Sequence, residues 1–166
     1  MNINSFNIEN EYPQLNNKKI LLAVSGGLDS MTLLHLFSLT KLNFSIAHCN
    51  YNLRSNESLE DEFLVKKIAK KLKIELHIKN INIKNYLNKN KLSVQIAARK
   101  IRYDWFNSLI DKYHFSYIIT AHHLDDQLET LLINIGRGSG IEGLIGIPES
   151  KLLIRPLLNF TKKEIL

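Results

Sequence analysis

A chain of 166 residues, 45% hydrophobic and carrying a formal net charge of +6, is long enough to bury one substantial core and short for two full-sized domains. No run approaches the ~18 consecutive apolar residues of a membrane span, and a start bearing Asn2, Asn4, Asn7, Glu9 and Glu11 lacks the basic and apolar regions of a signal peptide, so a cytoplasmic protein without membrane contact is predicted. Cys49 is the only cysteine, which excludes an intrachain disulfide and any CxxC metal or redox pair and leaves oxygen ligands for a metal.

Residues 1–17 are polar and aperiodic and read as a tail or short lead-in; the regular pattern covers 18–166. Lys19 to Val24 is a short apolar run ending in the turn-forming SGG, and Leu28 to Leu39 has helical spacing in Leu33, Leu34, Leu36 and Phe37. Phe44 to Cys49 reads as a second strand. Glu57 to Leu72 reads as an amphipathic helix with Leu59, Phe63, Leu64, Ile68 and Leu72 on its apolar face. Ile74 to Ile78 alternates as a third strand, and 80–92 as an Asn- and Lys-rich connection holding a short helix. Ser93 to Tyr113 spaces Val94, Ala97, Ile101, Trp105 and Leu109 as a long helix. Tyr117 to Ala121 is a fourth strand, Leu124 to Ile135 a helix, and 136–146, with five of the seven glycines, a loop. Leu152 to Leu158 is a last strand, interrupted by Pro156 and therefore placed near an edge. Strands alternating with helices of this length predict an α/β fold, a mostly parallel sheet of about five strands with helices on both faces, with ligands beyond the carboxyl ends of the strands.

Two segments carry the chemistry. Ser25, Gly26, Gly27, Leu28, Asp29 and Ser30 link a strand to a helix, where backbone N–H groups and the helix dipole are available to an anion. The glycines allow close approach, the serines add hydroxyl donors, and the GK[ST] ending of a Walker A loop is missing. A tight turn with a serine and aspartate cap is the plainer alternative. In the second segment, AHHLDDQLET, Asp126 and Glu129 are three apart on one helix face, with His122 able to join Asp126 if the helix starts early. Paired carboxylates can hold an ammonium or a metal and a histidine can move protons; an acidic first turn complementing the dipole explains the acids but not the two histidines. Of 22 lysines and arginines only five are arginine: Arg54, Arg99, Arg102, Arg137 and Arg155. A planar fork that grips phosphate bidentately has no lysine substitute, so these are candidate anion or base contacts, with salt bridges or a plain surface helix the alternative for Arg99.

A strand followed by SGGLDS resembles the PP-loop of the ATP pyrophosphatases. The wider set, AHCNYNLRSNESLEDEF, SVQIAARKIRYDWF, TAHHLDDQLETLLINIGRGSGIEGLIGIP and RPLL followed by KKEI, resembles the tRNA(Ile)-lysidine synthetases over nearly the whole chain. That resemblance implies ATP as cosubstrate, with Ser25, Gly26, Gly27, Leu28, Asp29 and Ser30 at its phosphates and Asp29 at Mg2+. It implies free L-lysine bound by Asp126 and Glu129, His122 as proton acceptor, and Arg99 and Arg137 at phosphate charge or the base. The implied partner is isoleucine tRNA with a CAU anticodon, whose wobble cytidine would become lysidine, moving codon recognition to AUA and identity from methionine to isoleucine. The oligomeric state is open, with a homodimer as one arrangement. One departure is Tyr51, where the family usually has histidine. A tRNA thiolase of the same superfamily and an ATP-binding module without catalysis are the competing readings. The capping box Thr161 to Glu164, followed at once by Ile165 and Leu166, reads as the first turn of a further helix and hence as the front part of a longer protein.

Overall fold

The computed structural model describes residues 3–51, 55–81, 93–136 and 152–165. The connection at 82–92, Arg54, Arg137 and most of the glycine-rich loop lie outside them.

Five parallel strands form one sheet in the order β3-β2-β1-β4-β5: β1 Lys19–Ala23, β2 Asn43–Asn50, β3 Leu76–Asn80, β4 Tyr117–Ile119 and β5 Leu153–Ile154. The helices are α1 Ile8–Glu11, α2 Leu28–Ser38, α3 Ser55–Leu72, α4 Val94–Tyr113, α5 Leu124–Gly136 and α6 Lys162–Ile165. Leu22 of β1 is in register with Ile46 on one side and Ile119 on the other. Connections from β1 run outward to β2 and β3, and the chain then returns to the other side of β1 for β4. The strand order therefore reverses between β1 and β4, the position at which open α/β sheets leave a crevice at their carboxyl ends.

The sheet separates two cores. Leu33, Leu34 and Phe37 of α2, Val65 and Ala69 of α3, and Phe160 cover one face; Phe106 and Leu109 of α4, with Phe115, cover the other. Each fully buried leucine or phenylalanine of this kind contributes about 1.5–3 kcal/mol. The lead-in is part of the first core: Phe6, Ile8 and Leu15 are buried there, and Phe6 meets Phe160 edge-on at 5.0 Å. Local signals set the helix ends. Ser93 caps α4 by accepting from the Ile96 N–H at 3.3 Å, and His114 ends it in the left-handed region at φ 58°.

Helix α3 presents a different face from the one its leucines suggest. Val65, Ala69 and Glu62 are buried, while Leu59 is 58% and Phe63 68% exposed. Small residues let this helix approach the sheet closely, and Glu62 accepts from Asn50 Nδ2 at 2.7 Å and from Lys66 Nζ at 2.6 Å, so the buried face is partly polar. The last strand also differs: only Leu153 and Ile154 pair, and Pro156, two residues on, has no N–H with which to continue a ladder.

Candidate active site

A cleft of about 200 Å³ opens at the strand-order reversal, lined by Ser25, Gly27, Asp29 and Ser30 after β1, by Cys49 and Tyr51 from β2, by Arg102 and Phe106 from α4, and by Thr120 and His122 after β4. Thus three strand ends and one helix meet there, with an apolar floor of Ala23, Val24 and Ala47.

The loop after β1 is internally braced. Ser30, only 6% exposed, donates to the Gly27 carbonyl at 2.8 Å and accepts from the Ser25 N–H at 3.2 Å. Gly27 N–H donates to Ser25 Oγ at 3.3 Å. Ser30 therefore bolts the loop as well as lining the cleft. The two glycines serve different ends. Gly26 has φ +98°, and a Cβ there would lie 2.6 Å from Asp61 Cβ, so both backbone and packing require glycine. Gly27, at φ −70°, would place a Cβ no closer than 3.5 Å to Ser25 Oγ. Neither its backbone nor its neighbours demand glycine, and its missing side chain leaves room in front of the α2 N-terminus for a ligand.

Asp29 sits in the first turn of α2 with Oδ1 buried and accepting no hydrogen bond among the described residues. A buried carboxylate oxygen without a donor is costly unless a cation or another donor meets it. Among the described residues no group of three or more His, Cys, Asp or Glu side chains forms a metal cage. A single carboxylate there is compatible with Mg2+, which takes one or two carboxylates together with phosphate oxygens and water.

His123 joins this loop to α5. It is buried, with Nε2 3.6 Å from both Asp29 Oδ2 and Asp126 Oδ2, and Nδ1 3.6 Å from Asp125 Oδ2. Asp126 Oδ2 also accepts the His123 backbone N–H at 2.9 Å, capping α5. The neighbouring His122 shares Nδ1 with Thr120 Oγ1 at 2.8 Å. Burial first, then the Arg155 charge, with smaller contributions from Arg102 and Arg99 opposed by Asp126, pushes the His122 ring down to about 4. His122 is therefore neutral at pH 7, with Nε2 the nitrogen left for a ligand.

Neither Asp126 nor Glu129 lines the cleft: Asp126 is half-buried against His123, and Glu129, one turn further along α5, is exposed. Arg99 is likewise exposed, its guanidinium 5.1 Å over the Tyr103 ring, whereas Arg102, one turn further along α4, lines the cleft. Tyr51 donates to the Ala98 carbonyl at 3.2 Å, and burial, only partly offset by Arg102, raises its hydroxyl to about 12. Cys49 packs against the second core and at the same time lines the cleft. Its thiol, raised to about 11 chiefly by burial, stays protonated. Arg102 was a candidate anion contact only as one of five scarce arginines, and it is the one of them that lines the cleft among the described residues. Asp61 and His123 were given no role by sequence pattern, although the doubled histidine pointed near the second.

The PP-loop domain family matches residues 2–166. This chain belongs to the PP-loop family. Use of ATP follows from that membership. The tRNA(Ile)-lysidine synthase of Bacteroides thetaiotaomicron is 41% identical over 96% of this chain and 38% of its own length; that of Chlorobaculum tepidum is 43% identical over 90% and 47%. The Petrotoga mobilis counterpart is 41% identical over 98% and 52%. The chain thus spans about a third to a half of the curated relatives it matches. Among solved structures, the U34-tRNA thiolase NcsA of Methanococcus maripaludis superposes with TM-score 0.69 at 20% identity, over 90% of this chain and 54% of that one. An NH3-dependent NAD synthetase from Campylobacter jejuni gives 0.64 at 19% identity, over 95% and 65%. These two establish the five-stranded parallel fold and nothing finer. No helix among the described residues is long and apolar enough to cross a membrane.

Proposed function

We propose that this chain is the ATP-activating part of a tRNA(Ile)-lysidine synthetase, which joins L-lysine to the wobble cytidine of isoleucine tRNA with a CAU anticodon and releases AMP and pyrophosphate. The observation that carries this reading is the junction at His123, whose Nε2 lies 3.6 Å from both Asp29 of the phosphate loop and Asp126 of α5, beside the cleft. The similarity to curated lysidine synthases over nearly the whole chain supports the choice of substrate.

A pyrimidine carbonyl oxygen is a poor leaving group until it carries a phosphoryl group, and ATP with Mg2+ supplies that activation. Ser25, Gly27 and the α2 N-terminus receive phosphate oxygens, and Leu28 begins the helix whose dipole faces them. Asp29 Oδ1, buried without a donor among the described residues, would hold Mg2+, which would offset phosphate charge, and Gly26 lets the loop pass Asp61. Arg102 places a permanent charge in the cleft where phosphate charge builds up. Asp126, with Glu129 one turn on, draws the lysine ammonium to the α5 side. His122, neutral and cleft-lining, accepts a proton as the amine becomes nucleophilic. Its low basicity makes it a transient acceptor, suited to passing the proton on rather than keeping it.

The thiolase reading calls for a sulfur nucleophile, and a Cys49 thiol held at about 11 disfavours one. Incubation with α-labelled ATP, Mg2+ and the CAU-anticodon tRNA, with lysine withheld, tests the activation step. Label is expected to appear on the tRNA and to be discharged as AMP when lysine is added. Label that never reaches tRNA, or that is discharged by sulfide and not by lysine, would rule the reading out.

A further inference from the structure

The loop at Ser25 to Ser30 contains no lysine, unlike loops that wrap a triphosphate around their own ammonium group. A cation reaches it from the far end of the chain. Lys162 Nζ lies 3.9 Å from Asp29 Oδ2, and its side chain is 57% exposed. An exposed pair at that separation adds little to stability. The root of the side chain, by contrast, is fixed. Lys162 N–H donates to Asp125 Oδ2 at 2.7 Å, and Leu124 N–H donates to the Phe160 carbonyl at 2.9 Å. Thr161 and Glu164 close a capping box around the same turn, with Thr161 N–H to Glu164 Oε2 at 2.8 Å and Glu164 N–H to Thr161 Oγ1 at 3.3 Å. So the segment after β5 is tied to the start of α5, and it carries an ammonium with a free tip to the phosphate loop.

We propose that Lys162 is a substrate-positioning residue that grips the departing phosphates of ATP; this rests on the reading of Ser25 to Ser30 as the phosphate cradle. A triphosphate beside Asp29 brings more negative charge than one divalent cation offsets, and an ammonium on a four-carbon stem can swing from the carboxylate to a phosphate oxygen with its backbone still anchored. Asp29 then serves as the parking site for the ammonium before ATP arrives. Because the anchoring hydrogen bonds are to backbone atoms, replacing the Lys162 side chain leaves the turn itself intact.

Calorimetric titration of this chain with ATP and with AMP, in Mg2+, separates this role from a structural one. Lys162→Gln is expected to weaken ATP binding about tenfold and to leave AMP within about twofold, while Lys162→Arg keeps ATP within about threefold. Inorganic pyrophosphate should compete less well against ATP in the Gln variant. Unchanged ATP affinity in Lys162→Gln, or equal losses for ATP and AMP, would overturn the proposal. The cradle itself is checked separately by Gly27→Val: retained ATP affinity there would sink the loop reading, whereas the lysine result concerns Lys162 alone.

Discussion

Gly26 and Asp61 occupy space that only one side chain can fill: a Cβ on Gly26 would stand 2.6 Å from Asp61 Cβ and 2.7 Å from its Cγ and Oδ1. Because φ at Gly26 is +98°, an L-residue there is strained as well as crowded. Gly26→Ala is expected to destabilise the fold by roughly 2–4 kcal/mol, from strain of about 1–3 kcal/mol plus overpacking. Adding Asp61→Gly should recover the packing part and leave the backbone part. Urea denaturation of the single and double variants measures both.

Gly27 should behave in the opposite way. Its backbone suits any residue and its nearest neighbour is at ordinary contact distance. Gly27→Ala is expected to keep stability within about 1 kcal/mol while lowering ATP affinity tenfold or more, because the added methyl stands where a phosphate must approach. Calorimetric ATP titration beside a denaturation curve would detect the split, and a variant that binds ATP normally would remove the case for a cradle.

His122 gives a pH dependence of defined sign. Its folded value near 4 lies below the ordinary 6.5, so between those values the unfolded chain binds more protons and stability falls as pH drops from about 6.5 toward 4. The most this single group can contribute is roughly 3 kcal/mol. His77, depressed chiefly by burial, acts in the same direction. His122→Asn should therefore flatten, without abolishing, the loss of stability on acidification relative to wild type. Equal slopes for the two proteins would show that His122 is not held neutral.

Asp126 has two separable duties. As the acceptor of the His123 N–H it caps α5, so Asp126→Ala should cost about 1 kcal/mol of stability. Asp126→Asn preserves the acceptor and removes the charge. Its stability is expected to stay near wild type while lysine affinity falls at least tenfold, as loss of a charge-assisted contact implies. Competition binding with lysine and with norleucine, which lacks only the side-chain ammonium, reads the second effect.

Much of the fold was legible because its signals are local: apolar runs of strand length, 3.6-residue periodicity in Leu33, Leu34 and Phe37, and the Ser93 cap. The choice of buried face on α3 was not. Periodicity favoured Leu59 and Phe63, but close approach to the sheet selects the small Ala69 and Val65 and a Glu62 that accepts a hydrogen bond from Asn50 and pairs with Lys66. The loop after β1 was legible as a strand-to-helix turn at a strand's carboxyl end, because its glycines and serines follow an apolar strand and precede an apolar helix, and the structure places Ser25, Gly27, Asp29 and Ser30 on the cleft wall. By contrast Arg99 and Arg102 are one helical turn apart, and only the rotation of α4 against the sheet puts Arg102 in the cleft. Contacts such as His123 with Asp29, or Lys162 with Asp29, join residues nearly a hundred or more positions apart and leave no local pattern.

The most direct measurement is incorporation of radiolabelled lysine into isoleucine tRNA bearing the CAU anticodon, with ATP and Mg2+, counted against AMP released and repeated with Asp126→Asn. One AMP is expected for each lysine incorporated by the wild-type chain, with incorporation lost in the variant. ATP bound and AMP released with no lysine on the tRNA, or incorporation undiminished by Asp126→Asn, would contradict it.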